Sequence, residues 1–174
     1  MQPTFFLSFR YDHAMTTFLN IALAVGAFIG MEIFSGLFHK YIMHGVLWNI
    51  HKTHHRKGHS FFELNDIFSF SFGAAAMTLV FFGAKEFDWR YWVGIGIIAY
   101  GLVYFVVHDI FIHRRLRWIE NTRIPYLQAL RRAHKAHHAS AEKSPSQEYG
   151  LLWIGKEFWR ERAQTLHNAD KCES

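Results

Sequence analysis

Residues 91–113 read YWVGIGIIAYGLVYFVVHDIFIH. No charge interrupts residues 91–107, and residues 108–113 begin and end on histidine. A helix needs about 17–25 mostly apolar residues to cross the hydrocarbon of a bilayer. This run is apolar on every side rather than along one stripe, as expected of a helix in lipid or deep inside protein. Residues 14–31, AMTTFLNIALAVGAFIGM, repeat the pattern, and their apolar character continues past Glu32 to Phe38. Residues 67–84, IFSFSFGAAAMTLVFFGA, are uncharged too. Three such helices in a soluble chain of 174 residues would leave nothing to cover them. The expected fold is therefore an all-α integral membrane protein of one domain, residues 1–174, spanning near 14–38, 67–84 and 91–107. Ala22–Leu23–Ala24 looks like a signal-peptide cleavage site, but the apolar run continues well beyond it.

Composition narrows the function. Half of the residues are hydrophobic, which excludes a disordered chain. A single cysteine, Cys172, excludes a disulfide framework, thiolate zinc and iron–sulfur clusters. Residues 1–15 and 85–90 are each neutral, whereas 39–66 carry a net +2 and 114–174 a net +5. Basic loops mark the cytoplasmic side, so segments 39–66 and 108–174 are expected inside, as a helical cap. The net charge of +5 is then a topology and lipid-headgroup signal, and no nucleic-acid partner is expected.

Thirteen histidines are the anomaly. Ten fall into an ordered set: HKYIMH (His39, His44), HKTHH (His51, His54, His55), HDIFIH (His108, His113) and HKAHH (His134, His137, His138). With three spans, all ten emerge on one membrane face. Offsets of three and four share a helix face, so each HxxHH box converges. An offset of five turns by about 140° on an α-helix. Either the helix unwinds at HxxxxH, or its two histidines serve different metals. Neutral imidazole suits iron, zinc, copper and nickel. Ten ligands exceed one tetrahedral site and suit two metals with open positions, which implies redox or hydrolytic chemistry. His13, His59 and His167 stand apart and are assigned no ligand role.

The order HxxxxH, HxxHH, HxxxxH, HxxHH resembles the membrane-bound di-iron oxygenases of the fatty acid hydroxylase superfamily. GMEIFSGLFHKYIMHG (30–45), FFELNDIF (61–68), AYGLVYFVVHDIFIHRR (99–115) and IPYLQALRRAHKAHHAS (124–140) narrow the resemblance to the bacterial β-carotene hydroxylases. It covers roughly residues 25–155 and departs at HHRKGHSFFELND, where the family usually has a proline-containing linker. The resemblance implies a non-haem di-iron centre on the ten box histidines. It also implies O2, electrons from an external ferredoxin and its reductase, and hydroxylation of β-carotene, or a similar carotenoid, at C3 of the β-ionone ring. The products would be β-cryptoxanthin and then zeaxanthin. The chain's lack of a dinucleotide fingerprint agrees with an external electron donor. Related enzymes acting on a fatty acyl chain, a sterol or carotenoid C4 would share this site.

A non-catalytic haem or metal carrier is the competing class. Bis-histidine haem sites place single histidines within facing spans, and transporters need polar groups near the midplane. Here the histidines gather at the helix ends, and the second and third spans offer only hydroxyls and glycines. The HExxH zinc-protease motif is absent.

Metal-bound imidazoles commonly donate their other N–H to a carboxylate or carbonyl. Asp109, four residues before His113, and Glu32, seven before His39, are the expected partners. Glu63, Asn65 and Asp66 stand just before the second span and could serve similarly, with Asp66 or Asn65 as its N-cap being the alternative. Lesser expectations are a close helix contact at Gly26 and Gly30, a helix from Pro125 to about Ala139, a loop at Ser144–Pro145–Ser146, and an amphipathic helix from about Lys156 to Leu166 carrying Phe158 and Trp159.

Overall fold

A computed structural model describes residues 3–55, 62–116, 122–139 and 149–159, with side chains from Met15 onward. The described residues are mostly helical, with no strand among them. The elements are α1 (Pro3–Phe38), π1 (His39–Val46), α2 (Trp48–His55), α3 (Asp66–Gly83), α4 (Trp89–Tyr104), π2 (Phe105–Ile112) and α5 (Pro125–Ala139). Three helices are long and apolar enough to cross a membrane: Met15–Val46, Asp66–Gly83 and Trp89–Ile112. The first and third run past the expected limits at 38 and 107, because their backbones continue as π-helix through the histidines. Helix α5 has the expected bounds. Only the first residues of the expected 156–166 helix are described, as a short turn ending at Trp159, and Ser144–Ser146 lies outside the described residues.

The chain divides into two compact units, Met1–Met31 with Phe68–Gly101, and Glu32–Ile67 with Leu102–Ser174. In the first, large apolar side chains are exposed, among them Phe18, Phe70 and Phe81, Phe81 being 76% exposed. So much exposed apolar surface suits lipid rather than water. The inner contacts of this unit depend on small residues. Gly96 lies against the Ala24 carbonyl and the Ala27 methyl, and Gly94 against Val80 and the Ala76 carbonyl. Phe28 packs edge-on to Tyr100 at 5.6 Å between ring centroids.

The expected close contact at Gly26 and Gly30 is not there. A Cβ at either position would meet nothing within 4 Å, whereas one at Gly96 would collide with backbone. Gly96→Val is therefore expected to destabilise this unit by roughly 1–3 kcal/mol, the usual cost of overpacking. Gly26→Ala and Gly30→Ala should be neutral. Unfolding in detergent, followed by circular dichroism, compares the three variants.

The second unit has its own core of Phe111, Ile112, Leu130 and Leu151, packed by Tyr104, Val107, Tyr126, Leu127, Leu152 and Ile154. The π2 helix and α5 meet in this core. It fixes the faces on which their histidines stand.

Candidate metal centre

The π-helical turns answer the question posed by HxxxxH. A π-helix bonds residue i to i+5 rather than i+4, so a five-residue offset returns to nearly the same face. The backbone N–H of His113 donates to the carbonyl of His108 at 2.9 Å, and that of Leu47 to Ile42 at 2.9 Å. Gly45, at φ −91° and ψ −108°, kinks the helix near the end of π1, ahead of α2. Unwinding is thus the alternative realised: His39 and His44 face one centre, His108 and His113 another.

Nine of the ten box histidines form two groups. His39, His44, His51, His55 and His137 bring one ring nitrogen each within 4.8 Å of the others, and His54, His108, His113 and His134 do the same. The tenth, His138, stands between them, its ring stacked on His55 at 4.3 Å and beside His134 at 4.4 Å. Its Nε2 is buried and has no hydrogen-bond partner among the described residues. Each HxxHH box is divided between the two centres rather than converging on one. His54 and His55 differ by ~100° around α2, enough for the box to address both sides. In α5, His134 faces the four-histidine group and His137 the five-histidine group. His59 and His167 lie outside the described residues, as does the side chain of His13.

The Nδ1 partners fix the tautomers. His39 Nδ1–H donates to the Tyr149 carbonyl at 2.8 Å, and His51 Nδ1–H to Asn65 Oδ1 at 2.7 Å. His54 Nδ1–H donates to Glu63 Oε2 at 2.7 Å, and His108 Nδ1–H to Asp109 Oδ1 at 3.3 Å. A neutral imidazole that donates from Nδ1 carries a lone pair on Nε2. The Nε2 atoms of His39 and His51 lie 2.9 Å apart, and those of His54 and His108 3.3 Å apart. Facing lone pairs at such distances repel unless a cation takes both. Two ligands ~2.1 Å from one metal and at right angles to each other are ~3.0 Å apart. His44 with His137 at 3.2 Å and His113 with His134 at 2.8 Å repeat the spacing. The donor set therefore fits a transition metal in each group.

Electrostatics keep these ligands neutral. Burial pushes the His51 imidazole down to about 3, with the neighbouring imidazoles adding to the shift and the Asn65 bond opposing it. Burial, then His108 and Arg115, take His113 down to about 2. Burial and adjacent imidazoles likewise lower His54, His134 and His138. A depressed value means that the folded site refuses protons which the unfolded chain accepts below about 6.5. Stability and metal retention are thus complete above pH ~6.5 and decline as pH falls from there towards about 3. Metal content after dialysis is expected to be flat between pH 7 and 8 and to drop on acidification below 6.5.

Carboxylates behind the imidazoles are gathered by one cation. Arg115 bonds Asp66 Oδ1 at 2.8 Å and Oδ2 at 3.0 Å, Glu63 Oε2 at 3.3 Å and Asp109 Oδ1 at 3.3 Å. Burial raises the Glu63 carboxyl, and Arg115 opposes that rise. Asp66 Oδ2 also accepts the Glu63 backbone N–H at 3.0 Å, so it caps the turn before α3 while Glu63 and Asn65 face the histidines. Asp109 approaches His108 rather than the expected His113. Glu32 has a different task from the one expected: its Oε1 accepts the backbone N–H groups of Leu151, Leu152 and Trp153 at 3.1, 2.8 and 3.0 Å. A carboxylate in an apolar helix is costly without partners, and these irregular N–H groups need an acceptor. Glu32 thereby holds the segment whose Tyr149 carbonyl orients His39. The Tyr149 ring lies against His39, His44 and His137 at 5.6, 5.3 and 5.3 Å. Neither Tyr149 nor Arg115 was expected from the sequence. A backbone carbonyl has no residue signature, and Arg115 resembles any basic residue flanking a span.

Residues 24–158 match the family model described as fatty acid hydroxylase. The β-carotene hydroxylase of Pantoea ananas is 38% identical over 134 residues, which cover 77% of this chain and 77% of that protein. The β-carotene hydroxylase of Pseudescherichia vulneris is 36% identical over 140 residues, covering 79% of this chain and 78% of its own. The chloroplastic β-carotene 3-hydroxylase 2 of Arabidopsis thaliana is 34% identical over 144 residues, covering 80% of this chain and 47% of its own. No solved structure matches.

Proposed function

This chain belongs to the fatty acid hydroxylase family, and on that premise we propose that it is a β-carotene 3-hydroxylase. It would hydroxylate β-ionone rings to give β-cryptoxanthin and then zeaxanthin. The reading is carried by two histidine groups at the ends of apolar helices, together with the identity to bacterial proteins named for that activity. The reaction balances as ring C–H plus O2, two electrons and two protons, giving ring C–OH and water. The electrons would come from an external ferredoxin, as the resemblance implies, and the lack of a dinucleotide fingerprint or cysteine cluster agrees with an external donor. The metal ligands are His39, His44, His51, His54, His55, His108, His113, His134, His137 and His138. Two iron ions, when bound there, supply the oxidising power that a C–H bond neither acidic nor polarised requires.

The protein's own residues bind and orient. Glu63 and Asp109 fix the tautomers of His54 and His108, and the Tyr149 carbonyl and Asn65 those of His39 and His51. Glu32 steadies Tyr149 through the next residues of the chain. The low proton affinity of the buried histidines keeps their lone pairs available at cytoplasmic pH. A centre at the end of an apolar helix suits a long, lipid-dissolved substrate whose terminal ring rises to the membrane interface. By the charge bias of its loops, the centre faces the cytoplasm from a bacterial inner membrane.

Expression in a β-carotene-producing host, followed by pigment chromatography, tests the proposal. Zeaxanthin and β-cryptoxanthin are expected. Unchanged β-carotene, with expression verified and electron supply adequate, would refute it. A ketone at C4 would retain the site and change the reaction.

A further inference from the structure

Residues 149–155 are not helical, yet they run along a helix apolar enough to cross a bilayer. The backbone of Tyr149 and Gly150 approaches Gly36, where an added Cβ would lie 3.5 Å from the Gly150 Cα. The N–H groups of Leu151, Leu152 and Trp153 reach Glu32, one turn nearer the N-terminus of α1. The segment therefore travels down α1 away from the histidines, and Trp153 stands at the level of Glu32. That level is about 10 Å from His39 along the helix. Hydrocarbon takes up about 20 helical residues, so a span that begins at Met15 reaches its far boundary near Phe34. Trp153 is thus at the boundary between acyl chains and headgroups, where tryptophan concentrates.

The surroundings of Trp153 suit that place. It is 81% exposed, and the neighbouring turns of α1 expose Ile33, Phe34 and Leu37. Glu32, Tyr126, Leu152, Trp153, Ile154 and Trp159 line a groove of about 300 Å3. The Tyr126 hydroxyl donates to the Leu152 carbonyl at 2.7 Å, and its ring stacks on Trp159 at 5.6 Å. Exposed charges return at Lys156 and Glu157. Irregular backbone at membrane depth persists only where protein satisfies its polar groups. Glu32 and Tyr126 do so here. A carboxylate within a span and a non-helical segment beside it are each unfavourable in lipid alone, and each supplies what the other lacks.

We propose that residues 150–154 form a re-entrant anchor occupied by the bilayer itself, with Trp153 inserted at the acyl–headgroup boundary and lipid filling the groove beside it. The occupant is lipid because the patch continues the exposed apolar face of α1 and carries its tryptophan at the depth of the interface. The anchor is a membrane contact additional to the three spans.

Spin-label accessibility of the full-length protein in nanodiscs tests this. Cys172→Ser clears the native thiol, and a nitroxide is attached in turn to Trp153→Cys, to Phe34→Cys on α1 and to Lys85→Cys in the exposed loop before α4. The ratio of collisions with oxygen to collisions with a water-soluble nickel chelate should be several-fold higher at 153 than at 85, and close to that at 34. A ratio at 153 no higher than at 85 would overturn the proposal. Dipolar broadening at 153 that disappears on dilution with unlabelled chain would assign the patch to a second copy and overturn it as well. A label-free measurement covers the case in which Trp153→Cys does not fold. In vesicles of phosphatidylcholine brominated near the headgroup end of its acyl chains, Trp153→Phe should lose part of the quenchable tryptophan emission of the unsubstituted protein. Unchanged quenching would contradict insertion. Both readouts are independent of metal content and of the reaction catalysed.

Discussion

His54→Ala is expected to abolish hydroxylation and to lower bound metal by about one ion per chain. His54 is 5% exposed, and its Nε2 lies 3.3 Å from that of His108. Its ring is 4.3 Å from His113 and 4.8 Å from His138. It is therefore the residue of α2 that joins π2 and α5 in the four-histidine group. Removing it deletes one of four clustered donors and strips Glu63 of the imidazole that its carboxylate accepts from. Metal analysis by plasma mass spectrometry and pigment chromatography read the two effects. His167→Ala serves as the control and should be mild. Full activity in His54→Ala would remove that residue from the ligand set.

Arg115→Met should be the most damaging change outside the histidines. The Arg115 side chain is 15% exposed and faces Glu63, Asp66 and Asp109, whose side chains are 18%, 16% and 12% exposed. Methionine keeps the aliphatic volume and removes the only cation described among these three carboxylates. Breaking a buried pair by removing one partner costs about 3 kcal/mol or more, because the remaining charge is stranded. The stranded groups include those that orient His54 and His108, so metal affinity should fall roughly 10–100-fold, the usual cost of losing a partner behind a ligand. Arg115→Lys, which keeps charge but not the forked geometry, should recover part of the stability and less of the metal affinity. Chelator competition and thermal unfolding separate the two losses. Equal behaviour of the methionine and lysine variants would show that charge at this position is unimportant.

The parts of the molecule legible in the sequence are those whose signal is local. Uncharged runs such as 91–107 declare the spans, and repeated histidine spacing declares the centre. The offset of five in HKYIMH and HDIFIH left two geometries possible. Its resolution as π-helix depends on how the helix end is packed, which spacing alone does not encode. The division of each HxxHH box between two groups was hidden for a related reason. A shared helix face is a broad stripe, and what stands opposite it is set by other elements. Glu32 was conspicuous as a charge in an apolar run, yet its partners are backbone N–H groups about 120 residues away. The small-residue pair Gly26 and Gly30 was equally conspicuous and faces open space, while Gly96 makes the close approach. Spacing shows that a backbone can be approached, and only the neighbouring helix determines where.

The central claim is that these ten histidines build two iron sites in one chain. Iron stoichiometry of the purified full-length protein, measured together with its Mössbauer spectrum, tests this most directly. The account predicts about two irons per chain in two nitrogen-rich, non-haem environments. One iron or fewer per chain after anaerobic reconstitution, or a haem Soret band in place of the non-haem signal, would contradict it.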